Sequence, residues 1–103
     1  MDRTKQKSYT IEIEVLGGKI DLGEKYAIAA YTDSTITWTY NGPFAVQFEP
    51  DTPFQVVKNG DSATVTIPRE ARLYHPYKYT IAVDANKEVL ILDPLVVRIP
   101  PRG

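Results

Sequence analysis

Cysteine is absent from the chain, which removes disulfides, thiol nucleophiles and thiolate metal sites at one stroke. A fold of this size must then be stabilised by burial alone. Histidine occurs once, and the lone methionine is at position 1. Long apolar runs are missing too: none approaches the ~18 residues that a membrane span needs, so no membrane insertion is expected. The first eight residues are polar and lack the apolar centre of a signal peptide. A cytosolic location is expected if Met1 is the native start, and a secreted or periplasmic one if a leader was removed. Charge of one sign is not in excess. Twelve basic against thirteen acidic residues give a net charge of −1, so nothing draws the chain as a whole to nucleic acid or an anionic surface. The one basic cluster, Arg3, Lys5 and Lys7, sits near the N-terminus.

Side-chain alternation is what the chain has in quantity. In residues 35–40, Thr-Ile-Thr-Trp-Thr-Tyr, Ile36, Trp38 and Tyr40 share one parity and three threonines the other. This is the pattern of a half-buried strand. Residues 9–15 repeat it, with Tyr9, Ile11, Ile13 and Val15 facing inward and Thr10, Glu12 and Glu14 outward. Further strands are expected at 26–31, 44–48, 62–67, 77–83, 89–92 and 95–97, with short ones at 19–22 and 55–58. Gly17-Gly18, Asn41-Gly42-Pro43, Asn59-Gly60-Asp61 and residues 84–87 read as turns. Residues 69–75, ahead of Pro76, are the one place for a helical turn. Asp93-Pro94 marks a bend at which a long last strand changes neighbours.

Seven or eight short strands at roughly ten-residue spacing predict an all-β, antiparallel Greek-key sandwich. With 103 residues, one core is expected. Residues 1–8 read as a flexible N-terminal segment, 9–99 as the single domain, and 100–103, Pro-Pro-Arg-Gly, as an extended tail.

Over residues 32–54 and 77–99 the sequence resembles the cupredoxin-like sandwiches, the fold of small blue-copper proteins and their copper-free relatives. The resemblance is carried by Asp33-Ser34-Thr35-Ile36-Thr37-Trp38, by Tyr77-x-Tyr79-x-Ile81, and by Asp93-Pro94-x-Val96-Val97. Immunoglobulin-like domains use the same Trp and Tyr packing, so that topology stays open beside it. A blue-copper site needs a cysteine thiolate and two imidazoles, and this chain has neither. The resemblance therefore implies a copper-free member.

Each chemistry-bearing residue has a plainer reading. Trp38 shares its parity with Ile36, which makes it a core residue rather than a sugar platform. Tyr77 or Tyr79 suits a tyrosine corner, its hydroxyl pinning the loop before the strand. His75 lacks a second imidazole, so no metal is expected there. Glu12 and Glu14 lie ~7 Å apart on one strand face, but nothing in the sequence desolvates either of them. Glu49, Asp51, Asp61, Asp84 and Asp93 match no calcium spacing. Serines 8, 34 and 62 lack a nucleophile context, and Gly17-Gly18 is no phosphate loop. No catalytic residue, metal or cofactor is expected.

Residues 89–92 differ in kind, being apolar on both parities and so needing cover on both faces. The expected function is a non-catalytic binding or assembly module that self-associates through its C-terminal strand. Its candidate interaction surface is Tyr74, His75, Tyr77, Val89, Leu90 and Ile91. The alternative is carbohydrate or small-ligand binding through the loop-end aromatics Phe44, Phe54, Tyr74 and Tyr77. A third reading is a divergent cupredoxin holding a metal with His75 and carboxylates.

Overall fold

The computed structural model describes residues 8–100, so most of the expected N-terminal segment (1–7) and of the tail (101–103) lies outside the described residues. Eleven strands are present among the described residues: β1 (Ser8–Glu12), β2 (Glu14–Leu16), β3 (Lys19–Asp21), β4 (Ala27–Tyr31), β5 (Thr35–Thr39), β6 (Phe44–Phe48), β7 (Val57–Asn59), β8 (Ser62–Thr66), β9 (Pro76–Ala85), β10 (Glu88–Leu92) and β11 (Leu95–Ile99). Ser8 is therefore strand, paired with Thr35, rather than flexible segment.

The count exceeds the expected seven or eight because two long strands are each divided and because the short strands β3 and β7 are counted with the rest. At Ile13 the chain leaves β1, which pairs with β5, and enters β2, which forms a hairpin with β3. That hairpin turns on Gly17 and Gly18, both at positive φ (59° and 76°), the conformation a two-residue turn demands. The second division is at Asp93-Pro94. Residues on both sides of it pair with β9 in one unbroken register, and beyond it β11 gains β4 as a second neighbour. Proline has no N–H to offer there, but the Tyr79 N–H still donates to its carbonyl oxygen at 3.1 Å, so the register survives.

One sheet runs β1-β5-β8-β7, and the other joins β6, β9, β10, β11 and β4. Both are mixed, which corrects the purely antiparallel expectation: β1 is parallel to β5, and β4 is parallel to β11. Alternation has period two in either kind of ladder, so a sequence pattern does not report strand direction. The helical turn expected at 69–75 is not developed: one hydrogen-bonded turn, from the Ala71 N–H to the Pro68 carbonyl (3.2 Å), opens the segment and no helical turn follows it. In its place the Arg72 N–H donates to the Tyr77 hydroxyl (2.8 Å), Leu73 bridges Arg98, and the Tyr74 N–H donates to the Arg98 carbonyl (2.9 Å). These bonds to residues 77 and 98, with Tyr74 at φ 61°, are incompatible with a helical turn continuing past Ala71. A short 3-10 turn occurs instead at Gly23–Tyr26.

The inward side chains of both sheets share one core. Ile11, Ile36, Trp38, Ala63 and Val65 come from the first sheet, and Phe44, Val46, Phe48, Tyr79, Ile81, Val83, Ala30 and Val96 from the second. Trp38 is wholly buried (0% exposed). Its Nε1–H donates to the Tyr79 hydroxyl at 3.1 Å, and its ring meets Tyr79 and Phe48 at centroid distances of 5.2 and 6.4 Å. The indole thus joins the two sheets, as its parity implied.

The outward faces differ. On the first sheet they carry threonines, and the Thr37 and Thr64 hydroxyls share a hydrogen bond across β5 and β8 (3.2 Å). On the second sheet Ala45, Ala82 and Ile91 form one cross-strand row, and Val89 stands opposite Asp84. The Ala45-Ala82-Ile91 row is apolar, and it is flanked by the polar Gln47, Thr80 and Asp84.

Candidate association strand

The strand β10 owes its exposure to the turn that launches it. Asn86 and Lys87, at φ 54° and 68°, form a two-residue connection of the primed type, which locks Glu88 opposite Ala85. Register then decides every side chain after it. Leu90 falls opposite Val83 and Leu92 opposite Ile81, so both turn inward and pack, half-buried, on the core. Val89 and Ile91 are left facing out, 65% and 64% exposed.

The backbone of β10 is also paired on one side only. Because Tyr79 N–H reaches the Pro94 carbonyl, strand alternation turns the backbone groups of Leu92, Leu90 and Glu88 toward β9. Those of Val89, Ile91 and Asp93 point to the open edge. The β2–β3 hairpin approaches β10 through β3, but no backbone hydrogen bond joins the two among the described residues. The edges at β1 and β4 are treated differently: Lys25 Nζ donates to the Thr10 carbonyl of β1 (2.7 Å), and the Tyr31 N–H of β4 reaches the Tyr9 hydroxyl (3.3 Å). The edge at β7 is open like that of β10, but it is three residues long and exposes one aliphatic side chain, Val57, rather than two.

The six residues singled out from sequence fall in two places. Val89, Leu90 and Ile91 lie on β10, whereas Tyr74, His75 and Tyr77 lie around the other end of β9, ~17 Å along that strand. Tyr74 is 67% exposed. The half-buried His75 ring sits edge-on to Tyr77, with centroids 4.8 Å apart. Tyr77 has a structural role: its hydroxyl accepts the Arg72 N–H, holding the loop five residues upstream in the manner of a tyrosine corner. Tyr77→Phe is expected to cost about 0.5–1.5 kcal/mol, the net worth of one hydrogen bond whose exposed N–H water can take over. A urea titration checks this, and an unchanged midpoint would contradict it.

Of the four rings proposed for a carbohydrate platform, Phe44 and Phe54 are buried. Phe54 stacks on Phe48 at 4.5 Å, and Tyr77 lies edge-on to Phe54 at 4.9 Å, so these rings face the interior rather than a ligand. Glu12 and Glu14 line an open groove of about 710 Å³ with Leu16, Tyr40 and Asp61. Among the described residues no group of three or more His, Cys, Asp or Glu side chains is placed to hold a metal ion. No helix among them is long and apolar enough to cross a membrane.

Sequence reasoning passed over Lys87 and Asp93, which it assigned to a turn and a loop. They bracket β10, and the signal was present as opposite charges closing a five-residue strand. In comparisons with known proteins, no family model and no curated sequence matches the chain.

Proposed function

We propose that this protein is a non-catalytic Greek-key β-sandwich of cupredoxin-like type, acting as an assembly module that self-associates edge to edge through β10. The observation that carries the reading is the pair Val89 and Ile91, two thirds exposed on a strand whose second backbone edge is unpaired. Large aliphatic side chains on an open edge are what a soluble chain avoids unless the edge has a use. The sandwich assignment draws support from the shared core and from Trp38 on one sheet bonded to Tyr79 on the other. A non-catalytic role is supported by the fate of the polar aromatic groups. The Tyr79 and Tyr77 hydroxyls are engaged by Trp38 and Arg72, and the His75 ring packs on Tyr77.

Sedimentation velocity from micromolar to millimolar concentration tests this. The wild-type chain is expected to pass from monomer to dimer, and Val89→Lys to stay monomeric with an unchanged circular dichroism spectrum. A wild-type chain that is monomeric throughout, or a Val89→Lys variant that dimerises equally well, defeats the reading.

A further inference from the structure

We propose that the partner of β10 is the same strand of a second copy, antiparallel about a two-fold axis at Leu90, and that Lys87 and Asp93 fix this register as reciprocal ion pairs. The inference rests on the assembly reading above and specifies its geometry.

Symmetry removes most of the alternatives. A two-fold axis perpendicular to a sheet that continues across two copies relates residue i of one strand to residue j of the other with a constant sum, and each residue faces its mate on the same side of the sheet. Val89 and Ile91 point outward and Leu90 and Leu92 inward, so outward residues must meet outward residues and the sum must be even. Three registers keep the strand overlapped, with Val89, Leu90 or Ile91 on the axis. Placing Val89 there sets Ile91 opposite Lys87. Placing Ile91 there sets Val89 opposite Asp93. Each of these sets an exposed aliphatic side chain against a charge.

With Leu90 on the axis, Val89 meets Ile91 of the second copy on the outer face and Leu90 meets Leu90 on the inner one. Lys87, the turn residue that precedes β10, then comes to the end of the ladder beside Asp93 of the second copy, and its long side chain brings a complementary charge to each boundary of the apolar segment. Backbone orientation agrees, since the N–H and C=O groups of Val89, Ile91 and Asp93 are those directed at the open edge. Pro94 then ends the ladder, because it has no N–H to continue it. Asp93 is oriented from behind, its Oδ1 accepting from the Thr80 hydroxyl at 3.1 Å. The arrangement is the self-directed form of strand addition.

The test uses charge reversal in two separate chains. Lys87→Glu alone sets two carboxylates against each other at both ends, and Asp93→Lys alone sets two ammonium groups against each other there. Each is expected to weaken the dimer at least about tenfold. Mixed together, the two variants form a heterodimer in which each end pairs either two introduced charges or two native ones of reversed partners, so the match of sign is tested directly. One end of that heterodimer joins the introduced carboxylate at position 87 to the introduced ammonium at position 93, and the other joins the native Asp93 to the native Lys87. Both ends are again oppositely charged, and the dissociation constant is expected within about threefold of wild type.

For the wild-type chain alone, raising the ionic strength is expected to weaken the dimer, and Lys87→Met to flatten that response. This second arm decides the matter if Asp93→Lys does not fold. A mixture that associates no better than either variant alone, or a wild-type dimer indifferent to salt, overturns the register. The assembly reading still stands in that case if Val89→Lys is monomeric. A wild-type chain that never dimerises removes both.

Discussion

Trp38→Ala is expected to lower the stability of the protein by about 3–5 kcal/mol, the largest effect of any single change considered for this fold. The indole is wholly buried on β5 and fills the space between the sheets, so its removal leaves a cavity bounded by Phe48 and Tyr79. Three losses coincide there. The apolar area of the ring returns to water or to a void, the edge contacts with two other rings disappear, and the Tyr79 hydroxyl loses the donor that now reaches it at 3.1 Å. Domains of this size are stable by only about 5–15 kcal/mol, so the variant is expected to be partly unfolded at physiological temperature. Urea unfolding should show a lower midpoint with an unchanged slope. A loss under about 1 kcal/mol would mean that the indole is not the joint between the sheets.

The second large effect concerns alkaline pH. Burial pushes the Tyr79 phenol up to about 12, because the phenolate is poorly solvated between the sheets, while the hydrogen bond from Trp38 favours the anion and works weakly against that rise. In the unfolded chain the same phenol titrates near its ordinary value of about 10. Between these two values the unfolded state has released the proton and the folded state has kept it. Unfolding then releases a proton, and stability falls as pH rises. The contribution is fully present below about pH 10 and is lost by about pH 12, a change of about 2–3 kcal/mol at 1.36 kcal/mol per unit.

Tyr79→Phe separates this from the other groups that titrate in the same range. At neutral pH it should cost about 1–2 kcal/mol, since the Trp38 Nε1–H is left buried without an acceptor. Above pH 10 its stability should decline less steeply than wild type. Parallel stability–pH curves for the two proteins would contradict the assignment of the alkaline loss to this phenol.

Much of this core could be read from residue order because one periodicity governs it. The inward parity of Ile36 and Trp38, of Ile11 and Ile13, and of Tyr79, Ile81 and Val83 predicted their burial, and β6 has the predicted bounds, Phe44–Phe48. Strand direction was not legible, since parallel and antiparallel ladders impose the same alternation. Nor was the 69–75 segment, whose conformation depends on the Tyr77 hydroxyl and the Arg98 carbonyl rather than on its own propensities. Arg98 adds to this by donating from Nε to the Thr32 hydroxyl (2.8 Å) and from Nη1 to the Ala71 carbonyl (2.6 Å), contacts that no local pattern encodes. At the candidate site, apolarity on both parities of residues 89–92 indicated that something must cover them. Only the register set by Asn86 and Lys87 tells which two face out.

Parallel pairing at β4 and β11 bears on how the chain reaches its native state. The two strands are separated by more than half the sequence, so β4 lacks its ladder until residues 95–99 arrive. The β9–β10 hairpin is local and closes early by comparison, with little chain entropy to overcome. Assembly of the second sheet thus runs from its late hairpin back toward an early strand. During that wait Ala27–Tyr31 is an unpartnered ribbon, the stretch most open to misannealing with a neighbouring nascent molecule.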